Sequence, residues 1–369
     1  MTSDPLYVTR PFLPPLAEFV SYLDEIWRSG TLTNAGPLHN RLEEELADYL
    51  DVDHVVLFNN GTIALVTAIQ AMNLTGEVVT TPYSFVATAH AISWNNLTPV
   101  FVDIDPQTLN IDPDQIEAAI TEKTSAIVAV HCYGNPCAVE RIEDIAKRHN
   151  LCVIYDAAHA FGVTYKGESL LRWGHLSVLS FHATKVFNTF EGGAIICHDE
   201  ETRNKLIQLR NFGISGETTV DAIGLNGKMS EVQAAMGLLQ LRHLDEALSS
   251  RQAIALQYRE ALARLDGIRC VDSVAETAPN YSYFPVLVDA PYPLARDEVY
   301  AKLKACGIFA RRYFYPLISN MSAYSELAKA RGHELPVAAH AADTVLCLPI
   351  YPGLDRTSVN RVIDALASR

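Results

Sequence analysis

Nowhere in this 369-residue chain does an uninterrupted apolar run approach the roughly 18–20 residues of a membrane span. No membrane-spanning helix is therefore expected. Basic blocks are missing too, and the formal net charge is −14, a poor footprint for nucleic acid or for an anionic membrane surface. The seven cysteines are scattered singly, which argues for a reducing compartment rather than a disulfide framework. The nearest pair, Cys132 and Cys137, lacks zinc-knuckle spacing and reads as core. The twelve histidines and the acidic residues show no short His-x-x-x-His or aspartate-rich spacing, so no metal is expected. Also missing are a Gly-x-Ser-x-Gly elbow, a Walker loop and a strand-linked Gly-x-Gly-x-x-Gly. The start, Met1-Thr-Ser-Asp-Pro-Leu-Tyr7, has no basic region followed by an apolar stretch. No signal peptide is expected, and the cytoplasm is the default location.

What is there describes a large core. Apolar residues make up 49% and charged residues 20% of the chain. The length suits one large domain plus a smaller one, with the division expected near residue 245: 1–245 large, with amino-terminal helices, and 246–369 small. Short β-branched runs at His54–Phe58, Glu77–Thr80, Pro99–Asp103, Ala126–Val130 and Cys152–Asp156 read as buried strands. Leu176–Ser180 and Ala194–Cys197 add two more. Helical periodicity lies between them at Thr62–Met72, Ser84–Trp94, Pro113–Ile120 and Ala138–Asn150. Such alternation predicts an α/β fold with a mainly parallel sheet covered on both faces. In such sheets ligands gather at the carboxyl ends of the strands. The segments Asn59–Thr62, Tyr83–Phe85, Asp156–His159 and Ser180–Lys185 all fall on that edge. Upstream, Leu16–Trp27 and a segment reaching about Leu50 read as helices around a turn at Thr33–Pro37. Ser230–Leu265 reads as one or two long helices. Beyond it lie a strand candidate at Tyr281–Val288, a helix at Ala295–Cys306 and a turn-rich tail, together an α+β unit.

Two residues carry the chemistry. Lys185 sits in Leu179-Ser-Phe-His-Ala-Thr-Lys-Val-Phe-Asn-Thr-Phe-Glu-Gly-Gly193, between a strand-like run and a Gly-Gly pair. Asp156 ends an apolar strand. A lysine that can form a Schiff base and an aspartate that can hold a pyridinium proton are what pyridoxal phosphate chemistry requires. A bland alternative for Asp156 is the cap of the following turn. Phe58-Asn-Asn-Gly-Thr-Ile-Ala-Leu65 reads as a strand, a glycine turn and a helix start. It is either a phosphate cradle or an ordinary helix capped by Asn60 or Thr62. Ser180 can donate to phosphate, and Gly192-Gly193 allow close passage past a bulky ring. Phe85 can stack on a planar cofactor or belong to the core. His159 lies within reach of the same ring, and His182 reads as packing. Arg311 and Arg312, with Tyr313 beside them, are the candidates for an anionic substrate, unless they are solvated surface arginines.

In their order along the chain, these motifs resemble the DegT/DnrJ/EryC1/StrS family of sugar-nucleotide aminotransferases, fold-type I pyridoxal phosphate enzymes. The resemblance spans Ser29-Gly-Thr-Leu-Thr-Asn-Ala-Gly-Pro37, Asn60-Gly-Thr62, Ser84-Phe-Val-Ala-Thr88, Phe101-Val-Asp-Ile-Asp105 and His131-Cys-Tyr-Gly134. It continues through Asp156-Ala-Ala-His159, Ser180-Phe-His-Ala-Thr-Lys185, Asn226-Gly-Lys-Met-Ser-Glu231, Gln233-Ala-Ala235 and Leu348-Pro349. It implies that Lys185 holds the cofactor and shuttles protons, that Asp156 faces the pyridinium and that Phe85 stacks on the ring. Gly61, Thr62 and Ser180 become phosphate ligands, and Asn226 reaches the phosphate of a neighbouring subunit, so a homodimer with shared sites is implied. His159 stands where glutamine is common in the family, and Lys228 where arginine is. Family members that deoxygenate sugars carry histidine in place of the lysine; this chain keeps Lys185, so transamination is implied. The variant motifs around Phe85 and Lys185 resemble the subgroup that aminates dTDP-4-keto-6-deoxy-D-glucose with L-glutamate for O-antigen and other surface glycans. A 3-keto isomer as substrate, or a non-catalytic regulator on the same fold, are the alternatives.

Overall fold

The β-branched runs assemble into one seven-stranded sheet in a computed structural model that describes residues 4–332 and 334–368. Met1–Ser3, where the stretch read for a signal peptide begins, lie outside the described residues. The spatial order is His54–Phe58, Gly193–Cys197, Leu176–Ser180, Cys152–Asp156, Thr124–Val130, Glu77–Thr80, Thr98–Phe101. From Leu176–Ser180 to Thr98–Phe101 every neighbouring pair is parallel. Gly193–Cys197 runs against both of its neighbours. That reversal has a local cause: only the lysine-bearing loop separates Leu176–Ser180 from Gly193–Cys197. The twelve residues Phe181–Gly192 contain no helix, and a connection without the helix that a parallel crossover usually carries returns the chain as a hairpin.

Helices cover both faces, because strands apolar on both sides must be buried on both. Leu16–Ser29, Pro37–Leu50, Val139–His149 and Glu231–Arg242 pack on one face through Ile26, Leu42, Leu46, Ile142 and Leu238. Gly61–Ala71, Ala87–Trp94 and Glu200–Arg210 cover the other through Leu65, Ile69, Ile92 and Leu206. The long helical stretch after Ser230 breaks at His243 into Glu231–Arg242 and Leu244–Leu262. Its start carries a capping box in which Ser230 and Gln233 satisfy each other's backbone amides.

The carboxyl-terminal unit has its own core. Phe284–Val288 lies between Ile268–Cys270 and Val345–Leu348, antiparallel to both. Leu244–Leu262, Arg296–Ala305 and Arg356–Ala367 pack around these strands through Tyr258, Leu303 and Val362. The expectation of a turn-rich tail is corrected here. The tail holds the strand Val345–Leu348 and the helices Pro336–Thr344 and Arg356–Ala367. Four residues of strand are too short for periodicity to reveal. A further cluster, with Tyr83, Tyr133 and Ile104 on one side and Leu287, Phe314 and Cys347 on the other, joins this unit to the loops of the large sheet. No helix among the described residues is long and apolar enough to cross a membrane.

Candidate active site

The carboxyl ends of the parallel strands open into a chamber of about 820 Å³, within the usual range for a small-molecule site. Its floor is the sheet edge, with Asn59–Ile63, Asp156, His159, Ser180 and Lys185. Phe85 lies at one side, and Tyr283, Tyr313 and Phe314 of the carboxyl-terminal unit close another.

Lys185 is positioned by a clamped hairpin loop. Phe181 N–H donates to Gly192 O at 2.8 Å, and Thr189 N–H donates to Phe181 O at 3.0 Å. The two residues after the lysine are driven into the core, where Phe187 stacks on Phe161 with ring centres 4.5 Å apart. The lysine itself is left facing the chamber, with its amine 5.8 Å from the centre of the Tyr283 ring. Burial lowers its pKa to about 8, opposed by the charge of Asp156. An amine with that pKa is partly neutral near neutral pH, which suits both nucleophile and proton carrier.

Asp156 is buried at the end of its strand. Thr88 Oγ1 donates to its Oδ2 at 2.8 Å, and Ala158 N–H donates to Oδ1 at 3.2 Å. Burial pushes its carboxyl above the ordinary aspartate value, while these bonds and Lys185 pull it back. The bond to Ala158 is the turn cap, so the local capping reading of Asp156 holds. Capping uses one oxygen lone pair and leaves the carboxylate room for a charged partner in the chamber.

His159 keeps one fixed tautomer. Its Nδ1 accepts from the Tyr133 N–H at 3.2 Å, so the neutral ring carries its proton on Nε2. Burial, reinforced by Lys185, holds it well below the usual histidine range. The ring lies parallel to Phe314 with centres 6.0 Å apart.

At the helix start, Asn60 Oδ1 caps the Ile63 N–H at 2.8 Å. The amides of Gly61 and Thr62 come before any intrahelical partner, and both residues line the chamber beside Ser180. The approach here is too close for side chains. A Cβ on Gly61 would sit 2.8 Å from the Cβ of Ser180, and one on Gly193 would sit 2.8 Å from the backbone of Asn60 and Gly61. Phe85 is 60% exposed, so its ring is available to a flat ligand rather than spent in the core.

Some expected residues lie elsewhere. Arg311 and Arg312 do not line the chamber. Arg312 pairs with Asp297 at 2.9 Å and rests on Tyr300 and Tyr315, and Arg311 is exposed. Their neighbour Tyr313 does line it. Asn226 is exposed and meets Asn59 through its backbone, its carbonyl accepting from Asn59 Nδ2 at 3.2 Å. Lys228 donates to Asn211 Oδ1 at 2.8 Å. Residues that pattern reasoning passed over also appear. Thr88 sits one helical turn after Ser84, a spacing that could have marked it. Tyr283 and Phe314 carry no sequence signal, since an aromatic in an apolar run reads as core. No group of three or more histidine, cysteine or acidic side chains among the described residues could hold a metal.

The sequence profile of the DegT/DnrJ/EryC1/StrS aminotransferase family matches residues 16–367. The chain is 53% identical to a dTDP-4-amino-4,6-dideoxy-D-glucose transaminase of Shigella dysenteriae over 98% of each chain. It is 51% identical to one of Escherichia coli over the full length of both. Among solved structures, DesI in the presence of its TDP-sugar product superposes with a TM-score of 0.93 at 39% identity, covering 99% of this chain and 92% of that one.

Proposed function

The chain belongs to the DegT/DnrJ/EryC1/StrS aminotransferase family, and on that premise we propose that it transfers the amino group of L-glutamate to dTDP-4-keto-6-deoxy-D-glucose. The product is dTDP-4-amino-4,6-dideoxy-D-glucose, and 2-oxoglutarate leaves. The class is sugar aminotransferase and the cofactor is pyridoxal 5′-phosphate. The observation that carries the reading is the shared chamber of Lys185 and Asp156, in a chain half-identical to two transaminases that carry this product's name.

The residues present fit the cofactor. Asp156 offers a buried carboxylate to the ring nitrogen, and Phe85 offers an open face to the ring. The Gly61 and Thr62 amides with the Ser180 hydroxyl form a cradle for the phosphate, and the Nε2–H of His159 is free to donate to the ring hydroxyl. When bound, the cofactor supplies an electrophilic carbon for the amine and an electron sink. Lys185 holds it and moves protons: its amine takes one from the carbon bearing nitrogen on the glutamate side and returns one on the sugar side. The aromatic wall of Tyr283, Tyr313 and Phe314 keeps water from the reacting carbon and faces the sugar.

Among the described residues no arginine lines the chamber of one chain, although the substrate carries a diphosphate. A homodimer with shared sites, in which Asn226 of one copy reaches the phosphate held by the other, completes the reading. Cytoplasmic enzyme action feeding O-antigen or related surface glycans follows from the same substrate. The test is product formation from purified dTDP-4-keto-6-deoxy-D-glucose, L-glutamate and pyridoxal phosphate with no isomerase present. NMR fixes the amine position. Amine at carbon four is the expected result. No product, with glutamate still bleaching the bound cofactor, points to another acceptor such as a 3-keto isomer. Neither product nor bleaching points to a non-catalytic regulator.

A further inference from the structure

The carboxylate of Asp156 stands at the end of a directed chain of hydroxyls. Thr88 Oγ1 donates to Asp156 Oδ2 at 2.8 Å, and Ser84 Oγ lies 2.9 Å from the same Thr88 oxygen. A hydroxyl has one hydrogen and a carboxylate only accepts, so the Thr88 hydrogen is committed to Asp156. Ser84 must then be the donor to Thr88. Each donor polarises the next, which strengthens the last bond in a site shielded from water. Ser84, Thr88 and Asp156 are all buried, with 4%, 0% and 8% exposure. Thr88 is also stiff at its first side-chain torsion, being β-branched in the helix Ala87–Trp94. Ala158 holds the other carboxylate oxygen, so the plane of the group is fixed from two sides.

We propose that Thr88, backed by Ser84, is a positioning residue that keeps Asp156 ionised and aimed at the ring nitrogen of the bound cofactor. This rests on the reading of Asp156 as the ring-nitrogen partner given above. Burial alone would favour the neutral acid, and the Thr88 bond is first among the influences that oppose it, ahead of Ala158 and Lys185. Without the Thr88 donor, Asp156 holds the ring proton less firmly, and the electron sink weakens in the ground state before any substrate arrives.

The test uses holoenzyme loaded with cofactor carrying ¹⁵N at the ring nitrogen, at one fixed pH. The ¹⁵N shift reads the protonation of that atom, and dialysis equilibrium reads cofactor affinity. Thr88→Val keeps shape and removes the donor; the expected result is a shift towards the unprotonated value and an affinity about tenfold weaker. Thr88→Ser restores both. Should Thr88→Val not fold, Ser84→Ala carries the test, with the shift moved part of the way and Thr88→Ser unchanged from the wild type. A folded Thr88→Val enzyme, or failing that a Ser84→Ala enzyme, with the wild-type shift and affinity overturns the relay. Asp156→Asn separates the two claims. If it moves the shift and Thr88→Val does not, the relay alone is wrong. If Asp156→Asn leaves the shift in place, the reading of Asp156 itself falls.

Discussion

Two walls of one chamber are built on different principles. The sheet edge supplies Asp156, Ser180 and the Gly61–Thr62 segment at strand ends and a helix start, and Lys185 in the clamped loop that follows Ser180. The facing wall comes from the carboxyl-terminal unit and supplies Tyr283, Tyr313 and Phe314, aromatics packed on one another without a cation among them. The first wall is rigid and chemically specified, because strand ends and clamped loops hold donors at fixed positions. The second is a surface of shape and stacking. The difference suggests a division of labour in which the sheet edge sets the reaction and the aromatic wall sets which sugar presents its carbonyl there. It also shows where charge is missing. The chain carries a net charge of −14, and among the described residues neither wall offers an arginine to a nucleotide diphosphate.

That division can be broken or sharpened in steps of falling size. Lys185→Ala should lower amino transfer by at least about 10⁴-fold, since nucleophile and proton carrier are lost together. The protein should stay folded, because the lysine amine rests over the Tyr283 ring rather than in an ion pair. Single-turnover kinetics with circular dichroism check both halves. For Asp156→Asn, titration of the apo enzyme should show cofactor affinity weakened roughly 10- to 100-fold, the usual worth of a hydrogen bond to a charged group. An unchanged affinity would remove the carboxylate from the reaction wall.

The pH dependence of cofactor capture by the apo enzyme follows from Lys185. Its pKa is lowered to about 8 by burial, so the reactive neutral amine is scarce below that pH and dominant above it. Stopped-flow absorbance should show the capture rate rising through about pH 8 and then levelling. The same shift leaves the folded enzyme with fewer bound protons than the unfolded chain between about 8 and the ordinary lysine value of 10.5. The contribution of this site to stability therefore improves as pH rises across that window.

On the aromatic wall the effects should be smaller and of another kind. Tyr313→Ala should raise the KM for the nucleotide sugar about fivefold through lost stacking, leaving cofactor affinity as it was. A change in cofactor affinity instead would erase the distinction between the walls. Arg312→Ala should alter stability by no more than about 1 kcal/mol, since its pair with Asp297 is solvent-facing, and should leave KM alone. A tenfold rise in KM would show that this arginine serves a substrate bound partly outside its own chain's chamber.

Much of the sheet edge was legible because its residues sit where pattern and chemistry coincide. An aspartate ending an apolar strand, or a lysine ahead of Gly-Gly, contradicts its surroundings and so stands out. Seven strands could be read for the same reason, as apolar on both faces. Tyr283 and Phe314 on the aromatic wall were opaque for the opposite reason: they agree with their surroundings, and they meet only once Phe284–Val288 pairs with Val345–Leu348 and Arg311 bridges to Cys347. The arginine candidates part from their neighbour in the sequence. Tyr313 faces the site, while Arg312 is drawn to Asp297, one residue into the helix that begins at Arg296. Thr88 lay inside a stretch singled out for Phe85, yet a hydroxyl in a helix has no signature until its partner, 68 residues away, is in place.

The most direct measurement is the site of covalent attachment. Holoenzyme reduced with borohydride, digested and sequenced by mass spectrometry should carry the pyridoxyl group on the peptide containing Lys185 and on no other lysine. A label on Lys228 or any other lysine, with Lys185 unmodified, would contradict the assignment of the sheet edge as the reaction wall.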